Sequence, residues 1–145
     1  MWKTYLAIGL VTALVCLLFL DRRYQTTHRP GGEMAAYRSL NTIITAQAVY
    51  RSEYDQFARS LAELGPPAEF SEGPTARAAD LIPQKLASGE TSGYRFLLLP
   101  HESGYRLLAF PLEEVFGERS FYSDETTIIR AHKGRPAWKT DEAIN

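Results

Sequence analysis

The sequence predicts an α+β fold: an N-terminal transmembrane helix, then a long amphipathic helix packed on a small antiparallel sheet of about four strands. Three observations carry that expectation. Thr4 to Leu20 contains no charge. From Glu33 to Leu64 the residues Ala36, Leu40, Ile43, Ile44, Gln47 and Tyr50 recur at steps of three or four, and Tyr37, Tyr54, Phe57 and Leu61 extend the series. At about 100° per residue these positions share one face. Beyond Ser88, aromatic and aliphatic runs alternate with turn residues, the pattern of hairpin strands.

The apolar run comes first. As a helix it would span about 26 Å, near the short end of what crosses a bilayer core. Trp2, Tyr5 and Tyr24 are placed to sit at its interfaces, and Lys3, Arg22 and Arg23 close its ends. A cleaved signal peptide needs small residues after the apolar run, where Leu20, Asp21, Arg22 and Arg23 stand. A lipoprotein site needs a small residue before Cys16, where Val15 stands. The reading is an uncleaved single-span anchor over residues 1–23, in contact with the lipid bilayer. Arg22, Arg23 and Arg29 after the run, against Lys3 before it, would by charge alone keep the following domain in the cytoplasm.

Residues 24–32 form a polar linker ending in Pro30-Gly31-Gly32. Proline removes a helix donor and each glycine costs about 1 kcal/mol in a helix interior, so two helices are expected rather than one. A globular domain then occupies residues 33–131. Glu33 suits the positive end of the long helix. Ser39 to Tyr50 carries no charge in twelve residues, unusual for a helix with a solvent face, and marks Thr42, Thr45 and Val49 as candidate subunit contacts. A break near Asp55-Gln56 would leave Ser60 to Leu64 as a short second turn, ended by Gly65-Pro66-Pro67. Residues 79–87 suit a short helix or turn around Pro83. Tyr94–Leu99 and Tyr105–Phe110 read as one hairpin, Ser120–Ser123 and Thr127–Ala131 as a shorter one. Residues 132–145 read as an irregular C-terminal tail.

With 145 residues, a net charge of −1 and a single cysteine, the chain suits one modest domain without an internal disulfide, and nucleic acid is not an expected partner. His28, His101 and His132 have no His, Cys or Asp at metal-ligand spacing, and no nucleophile or phosphate-binding motif occurs. Asp124-Glu125, Glu113-Glu114 and Glu118 read as ordinary solvated acids. No catalytic, cofactor-binding or metal-binding residues are expected, and no enzyme. Arg119, Arg130, Lys133 and Arg135, interleaved with Phe121, Tyr122 and Trp138, form a candidate patch for an anionic ligand.

Five pieces in order, SLNTIITAQAVYRSEY (39–54), SLAELG (60–65), LASGETSGYRF (86–96), GYRLLAFP (104–111) and GERSFYSDETTIIRA (117–131), resemble bacterial type IV pilin and pseudopilin-like proteins. The resemblance implies a pilin-like domain anchored in the inner membrane and standing outside the cytoplasm, with subunits that assemble through their helices. Pilin-like subunits and secretion or pilus assembly proteins would be its partners. Gly9 is followed by Leu10 to Leu14, without the glutamate that prepilin peptidase substrates carry, so the anchor is expected to remain uncleaved. The expected function is a membrane-anchored, non-enzymatic structural or assembly protein of the cell envelope. The alternative is a single-span extracytoplasmic binding or sensing module that does not polymerise.

Overall fold

The computed structural model describes residues 32–69, 73–112 and 118–144. The apolar anchor, nearly all of the linker, and Glu113-Glu114 lie outside the described residues. Helix α1, Gly32–Tyr54, begins with Glu33 in its first turn and buries Ala36, Leu40, Ile43, Ile44, Gln47 and Tyr50. Tyr37, Tyr54 and Phe57 pack half-buried at the margin of the same core.

Two features of the expected fold are corrected. The periodic stretch from Glu33 to Leu64 is not one helix packed on the sheet but two, divided where the sequence places a break near Asp55-Gln56. The first stops at Tyr54, where Asp55 takes a left-handed backbone with φ 57°, a conformation that ends a helix and that aspartate tolerates better than most residues. A separate helix α2, Leu61–Leu64, follows. The sheet has five strands, not about four: β1 Glu90–Thr91, β2 Tyr94–His101, β3 Gly104–Pro111, β4 Arg119–Asp124 and β5 Arg130–Lys133. Nor is any helix among the described residues long and apolar enough to cross a membrane.

The strands form an antiparallel meander in the order β1-β2-β3-β4-β5. Ser92-Gly93 joins β1 to β2 with both residues at positive φ, the geometry of the two-residue turn whose twist matches that of its strands. Paired residues share a face, so the register sorts the sheet. Phe96 pairs with Ala109, Leu98 with Leu107, and Ala109 with Phe121, and these face the core with Tyr94, Tyr105 and α1. Leu97, Leu108 and Tyr122 line up on the outer face.

Connections are tied down by specific bonds. Ser60 caps α2 through its Oγ, and the Glu63 carboxylate accepts the Arg59 N–H at 2.8 Å, a variant of the reciprocal capping arrangement. Residues 79–82 strap along α2 through Ala79 N–H to Glu63 O, Asp80 N–H to Gly65 O, and Leu81 and Ile82 N–H to Leu64 O. Helix α3, Gln84–Ala87, leads into β1.

Of the stretch expected to be irregular, His132-Lys133 belong to β5 and the residues beyond form no helix or strand but are held in place by side-chain and backbone bonds. Residues 135–144 turn back over the outer face of β4 and the edge of β5. Ser120 Oγ donates toward the carbonyls of His132 and Arg135. Trp138 lies 5.8 Å from the Tyr122 ring with Arg106 over its other neighbourhood at 5.7 Å. Ala131 N–H bonds Glu142 O, and Ile144 N–H bonds Ile129 O, so the edge of β5 is paired.

A candidate interaction face on the first helix

The helix whose inner face builds the core leaves a different face uncovered. Asn41, Thr42, Thr45 and Val49 are exposed, and Val49 keeps 38% of its surface in solvent. With buried Ala46 and with Leu81 from the strap over α2, they line a shallow groove of about 370 Å³. Leu81 reaches this place because its N–H is pinned to Leu64 O at 2.8 Å.

The polar atoms of this face are partly consumed by the helix itself. Thr42 Oγ1 donates to Arg38 O at 3.0 Å, and Asn41 Nδ2 donates to Tyr37 O at 3.1 Å. A threonine bonded back to the preceding turn turns its hydroxyl inward, so covering Thr42 strands no donor. All three candidate contacts, Thr42, Thr45 and Val49, therefore meet at one groove. Sequence reasoning missed Leu81, because its approach depends on a tertiary strap nearly forty residues downstream of the helix's middle and has no periodic signal.

The candidate anionic patch is distributed otherwise. Arg119 binds Glu33, with its N–H at 2.8 Å and its Nε at 3.0 Å from the carboxylate. Arg130 Nη1 donates to Asp141 O at 2.8 Å, and Arg135 makes a two-pronged ion pair with the Asp141 carboxylate. That pairing holds the Asp141 carboxyl below its ordinary range and raises the Arg135 guanidinium, while the Trp138 N–H adds a further bond to the same carboxylate. Lys133 is the register partner of Arg119, on the helix side of the sheet, whereas Arg130 pairs with Tyr122 on the outer side. The four cations thus divide between two faces, and three of them hold the fold together.

A second recess was not legible in the sequence. The end of α1 and the β2–β3 turn enclose an open polar cleft of about 630 Å³, lined by Arg51, Arg59, Phe57 and His101 among others. Arg51 stacks on Phe57 at 4.7 Å, and His101 Nε2 lies 3.4 Å from Glu125. Among the described residues, no three His, Cys, Asp or Glu side chains are grouped to hold a metal ion.

No family model, curated protein or solved structure matches the chain. The α1 face and the polar cleft are the features from which a functional reading can be built.

Proposed function

We propose that the chain is a membrane-anchored, non-enzymatic structural or assembly subunit of the bacterial cell envelope, acting in the manner of type IV pilins and pseudopilins of pilus or type II secretion machinery. The apolar segment 4–20 is its tether in the inner membrane, and the domain carrying α1 stands outside the cytoplasm. One observation carries the reading: the exposed, charge-free stretch of α1, with Thr42, Thr45 and Val49 gathered around a groove. A helix surface exposed to water over three turns is normally charged, and burying an uncharged one in another subunit leaves no ion unpaired.

Crosslinking the full chain in cells tests this. Wild type yields a ladder of multimers, and Thr42→Lys, Thr45→Lys or Val49→Lys abolishes it without changing the thermal unfolding of the domain. A strictly monomeric wild type sinks the assembly role. Persistence of the ladder in all three variants moves the contact off this face. A C-terminal alkaline phosphatase fusion that is active in cells supports the outward placement, and an inactive one reverses it.

The second reading is a single-span extracytoplasmic binding or sensing module that does not polymerise. The polar cleft at the end of α1 favours it, since Arg51, Arg59 and His101 line it beside Asp55 and Glu102, a mixed-charge recess suited to a small polar ligand. It gains ground if the wild-type chain is monomeric and Arg59→Ala removes a ligand-dependent rise in melting temperature.

A further inference from the structure

On the outward arc of α1 the charges are placed asymmetrically about the neutral groove. At 100° per residue, Arg38, Asn41, Thr42, Thr45, Val49 and Glu53 fall within about 120° of one another. Arg38 stands one turn before the groove and Glu53 one turn after it, and both are exposed. Neither makes an ion pair among the described residues. Arg51, the other nearby cation of the helix, is turned away onto Phe57.

We infer that the occupant of the α1 groove is the α1 helix of a second copy, docked antiparallel about a two-fold axis between Thr45 and Ala46. This rests on the assembly reading above and names the partner and geometry of one of its contacts, a closed pair, so that growth of the ladder beyond the dimer uses a second surface. The two-fold axis sets Thr42 of each copy beside Val49 of the other, and Arg38 beside Glu53, once at each end. The pattern is self-complementary, as an isologous interface requires. A parallel, staggered docking could also join Glu53 to Arg38, about 22 Å apart along one helix. It would form one such pair per contact and leave half of the neutral stretch in water. The antiparallel docking forms two and covers the whole stretch. The hydroxyl of Thr42 is already bonded within its own helix, so the closest part of the contact needs no new hydrogen-bond partner. Gly32 lies about 20 Å from the two-fold axis along the helix, so the two copies start their helices about 40 Å apart.

The full chain in detergent, carrying Cys16→Ser to remove its single native thiol, tests the geometry. Thr45→Cys in that background is expected to form a disulfide-linked dimer under mild oxidation, and Glu102→Cys, on the β2–β3 turn, is not. Arg38→Glu and Glu53→Arg are each expected to raise the dimer dissociation constant about tenfold, in line with replacing two attractive rim pairs by repulsive ones. The double variant is expected to recover most of the loss. Multimers that form without Thr45→Cys crosslinking, or charge variants not rescued in combination, overturn the antiparallel docking while the assembly reading stands. A chain that stays monomeric at every concentration overturns both.

Discussion

Gln47 grips Ala58 with both ends of its amide: Nε2 donates to the Ala58 carbonyl at 3.0 Å, and Oε1 accepts the Ala58 N–H at 2.9 Å. Both residues are buried, eleven positions apart. The side chain imitates a strand neighbour for a piece of backbone that belongs to no strand, and so fixes the path of the chain after α1 ends. Gln47→Ala leaves both Ala58 groups buried without partners and is expected to cost on the order of 3 kcal/mol. Urea denaturation should show a lower midpoint with an unchanged slope. A loss under about 1 kcal/mol would mean that water reaches Ala58 when the amide is gone.

Gly65 is required by proximity. Its φ is ordinary, but a Cβ there would stand 2.6 Å from the Ala87 Cβ, where α2 and α3 touch. Gly65→Ala is expected to destabilise by about 1–3 kcal/mol through overpacking. Ala87→Gly added to it should recover much of that loss, giving a coupling in a double-mutant cycle. Strictly additive effects would place the strain elsewhere.

Buried phenols set the alkaline limit of the domain, Tyr50 among them, raised chiefly by burial. Burial first, then the nearby Asp124 and Glu125 carboxylates, pushes Tyr105 up to about 12. Burial and its hydrogen bond to Asp124 push Tyr122 up to about 12, and Tyr94 lies higher still through burial with Glu118 and Glu33 beside it. Below the ordinary value of 10 both folded and unfolded chains keep these protons, and the stabilisation is fully present. As pH rises from 10 to 12, the unfolded chain releases protons that the folded chain holds, so stability falls. Asp124 works in the opposite direction. Burial raises it, but bonds from Thr126 and Tyr122 together with Arg130 outweigh that and leave it lowered. Its contribution is present above the ordinary carboxylate range and is lost as pH falls through the folded value. Melting temperature against pH should therefore fall off at both ends, with Tyr105→Phe flattening the alkaline side and Asp124→Asn the acid side. An alkaline slope unchanged in Tyr105→Phe would contradict the assignment.

The physics that was readable in the residues is local. Periodicity located the buried face of α1, Gln47 included, because every third or fourth position meets the same core whatever the sheet does. Turn chemistry located Ser92-Gly93 and the β2–β3 hairpin, whereas the last strand, expected over Thr127–Ala131, runs instead over Arg130–Lys133 because Thr127 still belongs to the turn at φ 65°. Strand β1 was unreadable since two residues carry no alternation. The order in residues 135–144 was equally hidden, resting on Arg135 meeting Asp141 and on Ser120 gathering two carbonyls, contacts made only after the sheet exists. At the candidate face, absence of charge drew attention to Thr42, Thr45 and Val49, yet the groove needed Leu81, which only the strap over α2 delivers.

The strap formed by residues 135–144 also bears on when the domain becomes safe from aggregation. Those residues are synthesised after every strand they cover, so during translation β5 offers an open edge to any neighbouring nascent chain. Closure by Glu142 and Ile144 then acts as a completion signal for this edge: β5 loses its template for cross-pairing only when the bonds to Ile129 and Ala131 form. Ribosome stalling or proteolytic trimming within this strap would leave a domain whose β5 edge is unsealed and whose core lacks Ile144 at its margin.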